Sequence, residues 1–133
     1  MSWVAVFAGF LVAHMVGDYL LQTDWQARHK RCGLGGDRVA LRALLTHVTT
    51  YTLAFVPALI WLAGEEEVSV LGAIGLGALV FVPHLIQDDG RLLTSYIARV
   101  KGCSAATTQE VFQAVDQTFH LVTLFGIALL AVA

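Results

Sequence analysis

WVAVFAGFLVAHMVGDYLLQ, residues 3–22, contains no Lys, Arg or Glu, yet it carries His14 and Asp18 near its end. A helix needs about 20 predominantly apolar residues to cross a bilayer, and this run has that length. Ionisable groups are costly inside a membrane and are kept there mainly for function. Side chains four positions apart share one face of a helix, so His14 and Asp18 are expected to point the same way.

Three further stretches are nearly free of Lys, Arg and Glu: 43–63, 68–87 and 111–133. The chain of 133 residues is 57% hydrophobic and 14% charged, where a soluble domain carries about a quarter charged residues. The pattern predicts an all-α polytopic membrane protein. Its one integral membrane domain, 1–133, is a bundle of four transmembrane helices over about 3–22, 41–63, 68–89 and 108–132. No basic segment precedes the first run, which is expected to stay as a helix and not to be removed as a signal peptide. Pro57 is expected to kink the second helix. The small residues Gly72, Gly75 and Ala78 are expected to let helices approach closely inside the bundle.

The charges are segregated. All eight Lys and Arg lie between the first and second helices (Arg28, Lys30, Arg31, Arg38, Arg42) or after the third (Arg91, Arg99, Lys101), while Glu65, Glu66 and Glu67 occupy the turn between helices two and three. The positive-inside rule puts the first and third loops in the cytoplasm and both termini outside. Cys32 and Cys103 fall in those loops, where thiols stay reduced. Residues 90–101 place Leu92, Leu93, Tyr96, Ile97 and Val100 opposite Arg91, Arg99 and Lys101. That pattern suits a short amphipathic helix at the inner-leaflet interface, with a basic rim able to attract a lipid head group. The net charge of −2 says less than this asymmetry, and no nucleic-acid partner is expected.

The spacing at His14 and Asp18 recurs at His84 and Asp88 and, reversed, at Asp116 and His120, with His47 alone in the second helix. Antiparallel topology gives this set its meaning. Residues late in helices one and three, and early in helices two and four, all lie toward the cytoplasm. The seven side chains therefore meet at one depth, while the outer halves carry no ionisable group. Imidazole and carboxylate donors without thiolate suit zinc, iron or manganese. Seven donors suit two ions, or one ion with carboxylates orienting its histidines, much as helical bundles build dimetal sites. Gln22, Tyr51, Gln113 and Gln117 extend the same faces as substrate-binding or outer-layer hydrogen-bonding groups.

HMVGDYLLQTDW (14–25), His47, HLIQDD (84–89) and DQTFH (116–120) resemble the motifs of DUF3307, an uncharacterised family of small bacterial and phage membrane proteins. The resemblance runs over nearly the whole chain through His14, Gly17, Asp18, Tyr19, Gln22, His47, His84, Asp88, Asp116, Gln117 and His120. It implies four membrane helices in a bacterial cytoplasmic membrane and supplies no reaction. The HxxxD spacing is also similar to that of zinc-dependent phospholipase C, P1-type nucleases and small membrane metal-dependent hydrolases.

These observations lead to an expected function. The chain is expected to bind one or two divalent transition ions, zinc first, through His14, Asp18, His47, His84, Asp88, Asp116 and His120. It is expected to act as a metal-dependent hydrolase on a phospholipid or other membrane phosphoester at the cytoplasmic leaflet. Asp18 or Asp116 is the expected catalytic base, and Arg91 with its basic neighbours the expected head-group receiver. The alternatives are a metal-ion or proton transporter or channel, a non-enzymatic membrane module with a structural metal, and redox chemistry at a di-iron centre. Membrane lipid is the expected partner, and self-association into a homo-oligomer is compatible with so small a chain.

Overall fold

The computed structural model describes residues 2–65, 68–102 and 109–133, and every element among them is helical. Glu66, Glu67, Cys103 and Thr108, which the sequence reading used, lie outside the described residues. Helix α1 spans Trp3–Met15, with the Ser2 side chain accepting from the Ala5 N–H. The helix does not run on to residue 22 in α form. It loosens into one π-helical turn, Val16–Leu20, closed by a bond from the Leu21 N–H to the Val16 carbonyl. Such turns insert one extra residue per turn and re-aim the side chains beside them, frequently at functional sites. Here the turn carries Gly17 and Asp18.

A second helix, α2 (Asp24–His29), follows immediately. Thr23 and Gln26 form a reciprocal capping box at its start. Two orphan N–H groups are satisfied by that exchange, so the TDWQ segment starts a new helix directly after the first apolar run. The glycine-rich CGLGGD stretch makes a 3-10 turn over Gly33–Gly35, entered through Cys32 in the left-handed region at φ 59°.

The second apolar run is two helices, α3 (Arg38–Ala54) and α4 (Val56–Gly64), broken at Phe55. Pro57 accounts for the break. It has no N–H to offer the Leu53 carbonyl, and its ring clashes with that turn. Helix α5 spans Val70–Asp89 and ends at Gly90, whose φ of 76° stops it in the left-handed conformation. Helix α6 (Arg91–Val100) buries Leu93 and Ile97 against Val111, Phe112, Val115 and Phe119 of α7 (Gln109–Leu130).

Among the described residues, four segments are long and apolar enough to cross a membrane: Trp3–Leu20, Arg38–Gly64, Val70–Asp89 and Gln109–Leu130. Helix α1 packs on α3, α4 and α7, while α5 packs on α3, α4 and α7. One end of the bundle is filled by an apolar core that includes Val6, Phe10, Phe55, Leu62, Leu76 and Leu124. The polar residues collect toward the other end. The small-residue spacing in α5 does not serve the packing expected of it. A Cβ at Gly75 would meet open space, and only Gly77 approaches another helix, at Leu59.

Candidate metal centre

His14, His47, His84 and His120 are all buried, with at most 2% of each exposed. They come from α1, α3, α5 and α7, and the π turn and the end of α5 bring Asp18 and Asp88 among them. His47 Nε2 lies 3.1 Å from His84 Nε2 and 2.8 Å from Asp88 Oδ2, which is 3.2 Å from His84 Nε2. A tetrahedral ion with bonds of about 2.0–2.1 Å holds its donor atoms about 3.3 Å apart. The triangle therefore has the edge lengths of one face of such a site. Asp18 Oδ1 lies 3.3 Å from His47 Nε2 and 3.6 Å from His84 Nε2.

His120 gives the sharpest chemical constraint. Its Nδ1 is 2.8 Å from the Asp116 carbonyl. A carbonyl only accepts, so Nδ1 carries a proton, and on the neutral ring Nε2 presents a lone pair. A backbone carbonyl often fixes a metal-binding histidine in this way. His120 Nε2 faces Asp88 Oδ1 at 3.6 Å. Neither atom has a hydrogen-bond partner among the described residues, and Asp18 Oδ1 is a third such atom. Two buried acceptors facing each other repel unless a cation or a proton lies between them.

Among the described residues, three donor sets have all their ligand atoms within 4.8 Å of one another: Asp18–His84–His120, His47–His84–Asp88 and Asp88–Asp116–His120. Six of the seven residues expected as ligands are in them. The seventh, His14, is in none of them, and both of its ring nitrogens have other partners. Its Nε2–H donates to Gln117 Oε1 at 2.9 Å, and its Nδ1 accepts from the Tyr51 hydroxyl at 3.0 Å. Gln117 in turn donates through Nε2 to Asp18 Oδ2 and Asp116 Oδ2. The result is an outer layer: His14 and Gln117 orient two carboxylates, and Tyr51 lies flat on His84 with ring centroids 3.5 Å apart. Gln22 reaches His47 Nε2 at 3.2 Å.

A polar cavity of about 270 Å³ opens beside these groups. Asp18, Asp88 and Asp116 form part of its wall, together with Gln22, Gln113, Gln117, Lys30 and Arg31. Arg91 is not part of this lining. It pairs with Asp89 at 2.5 Å, which raises the guanidinium pKa above its ordinary value.

Three groups escaped the sequence reading. Lys30 donates to Asp88 Oδ2 at 2.8 Å. Asp89 accepts from the Leu34 N–H at 2.8 Å while its own carbonyl accepts from the Cys32 N–H. Gln87 is buried and donates to Thr123 Oγ1. HLIQDD displayed Gln87 and Asp89 beside Asp88, but no spacing rule singles them out. Lys30 sat in a basic run that reads as solvated.

No curated protein and no solved structure matches this chain. One family profile, described as "Protein of unknown function (DUF3307)", matches residues 6–133, and the chain belongs to that family.

Proposed function

We propose that this chain is an integral membrane protein of the bacterial cytoplasmic membrane. In this reading it holds one or two divalent transition ions, zinc foremost, and hydrolyses a phosphoester of a membrane lipid at the cytoplasmic leaflet. The observation that carries the metal assignment is the set of buried acceptors, His120 Nε2, Asp88 Oδ1 and Asp18 Oδ1, converging without hydrogen-bond donors. Insertion is supported by the outward apolar faces. Val70, Leu71, Leu20 and Ile60 are each at least 66% exposed, a surface that lipid covers better than water. In this orientation α6 lies at the inner interface with Arg91 and Arg99 toward the head groups.

His47, His84, Asp88, Asp18 and His120 are the proposed ligands, and His14 positions Asp18 through Gln117. A bound divalent ion supplies an acidified water and neutralises phosphoryl charge. Asp116 is the proposed base. Its carboxylate is the most open of the three, with 16% of the side chain exposed at the cavity wall. Water adds to phosphorus as its proton passes to Asp116, the ester P–O bond breaks, and Asp116 returns that proton to the leaving oxygen, which departs as the alcohol.

The purified chain in nanodiscs, supplied with zinc and phosphatidylglycerol, is expected to release a product seen by mass spectrometry. Asp116→Asn is expected to lower that rate by about 10²–10⁴-fold, the usual contribution of a positioned base. A zinc-loaded protein that hydrolyses no phospholipid in a broad panel contradicts the hydrolase assignment.

The Lys30–Asp88–His47–His84 chain of polar contacts also suits a proton or metal path. Against transport stands the apolar core. Phe10, Phe55, Leu62 and Leu124 fill the other end of the bundle with 0–2% exposure, leaving no polar route through one copy among the described residues.

A further inference from the structure

Asp88 Oδ2 is claimed three times. His47 Nε2 and His84 Nε2 approach it at 2.8 and 3.2 Å, and the Lys30 ammonium donates to it at 2.8 Å. That oxygen is also one corner of the donor triangle His47–His84–Asp88. An ammonium and a divalent ion cannot both sit on it, because two unscreened positive charges in a buried site repel strongly. A cation seated at the triangle must push Lys30 aside.

The place Lys30 would move to is already formed. It lies at the end of α2, its side chain 13% exposed, on the wall of the 270 Å³ cavity. Arg31 lines the same cavity. The Arg31 guanidinium rests 3.8 Å over the Phe112 ring and makes no ion pair among the described residues. The cavity wall thus carries three carboxylates (Asp18, Asp88, Asp116) against two permanent cations (Lys30, Arg31). With neutral histidines its net charge is negative, which repels an anion. One divalent ion makes it positive, and the same ion frees Lys30 as a donor.

We propose that Lys30 is a displaceable counter-ion that couples the two binding events: metal at His47, His84 and Asp88 releases it from Asp88, and with Arg31 it then binds the phosphate of a phosphoester. This rests on the metal reading above and adds an ordered, metal-dependent anion site to it. The amide walls of Gln22, Gln113 and Gln109 suit uncharged hydroxyl groups. The ligand class is therefore a phosphate bearing a small polyol, whether attached to a lipid or free.

Binding affinity tests this without any turnover. Zinc titrations of the full chain in phosphatidylcholine nanodiscs would be run alone, with glycerol 1-phosphate, and with phosphatidylglycerol added to the disc. In the wild type either phosphate is expected to tighten zinc binding about tenfold, and zinc to tighten phosphate binding by the same factor, since coupling is reciprocal. An effect of phosphatidylglycerol alone identifies a lipid-borne head group, whereas an effect of glycerol 1-phosphate shows that the free ester suffices.

Lys30→Met is expected to bind zinc about tenfold more tightly in the absence of phosphate and to lose most of the coupling. Arg31→Gln, on an exposed side chain, is expected to leave the affinity for zinc alone within about twofold and to weaken the coupling. Zinc binding with no phosphate coupling, or coupling unchanged in both variants, overturns the proposal and leaves the metal reading standing. A wild-type chain that binds no zinc or other divalent transition ion overturns both.

Discussion

Gly17 shows how closely single residues are held around the candidate centre. A Cβ there would lie 2.6 Å from Tyr51 Cδ2 and 3.2 Å from Tyr51 Cα, so the π turn can meet α3 only through a glycine. Gly17→Ala is expected to destabilise the fold by about 1–3 kcal/mol, the usual cost of over-packing. Tilting Tyr51 off His84 should also shift both His14 and His84. Unfolding of the variant and the wild type in mixed detergent micelles measures this, and equal stability contradicts the contact. At this scale the sequence was half legible. Spacing of four placed His14 and Asp18 on one face, as found. It carried no information on ring orientation, so it did not show that both His14 nitrogens are taken by Tyr51 and Gln117. Nor did it show that the basic run at Lys30 folds back onto Asp88. A long lysine reads as solvated until the tertiary structure supplies a carboxylate.

Among the elements, the segment between α2 and α3 is the one the sequence described least. Gly33, Gly35 and Gly36 lie in it, and by composition such a stretch suggests a flexible turn. The structure ties it down through Asp89 at the end of α5. Cys32 N–H and Leu34 N–H both bond that residue, Arg91 neutralises it, and Arg31 lies on Phe112. Composition registers the freedom of glycine and not the long-range acceptor that removes it. Asp89→Ala should leave the Leu34 N–H without a side-chain acceptor, at a cost of about 1 kcal/mol for a part-buried hydrogen bond. The expected readout is local. Trypsin should cut at Arg31 or Arg38 at least about tenfold faster than in the wild type, a factor worth about 1.4 kcal/mol, while global unfolding moves less. Unchanged cleavage would show that Asp89 does not anchor the segment. The helix ends had similar limits. Pro57 announced a disturbance in the second run, and the break at Phe55 lies two residues before it. Nothing in the VGDYL segment distinguishes a π turn from an α turn by composition.

At the scale of the whole molecule, apolar length and charge segregation were enough to read four long helices. The order of polar residues along antiparallel runs was enough to place histidines and aspartates from all four at one end. That inference needed only direction and depth, which sequence carries well. The bundle is apolar at one end and polar at the other, and the polar end holds buried acceptor atoms, His120 Nε2, Asp88 Oδ1 and Asp18 Oδ1, that have no hydrogen-bond partner among the described residues. The central claim is that these acceptors hold a metal. A ligand that binds only the folded state at about 100 times its Kd stabilises it by about 2.7 kcal/mol, so chelation should lower the unfolding temperature of the chain. The direct measurement is elemental analysis of the chain purified from a metal-replete membrane without added metal, beside His84→Ala and Asp88→Asn. His84 and Asp88 each belong to two of the three donor sets. The account predicts one or two transition ions per wild-type chain, zinc foremost, and fewer in each variant. A folded wild-type chain carrying no transition metal, or variants carrying as much as the wild type, would contradict it.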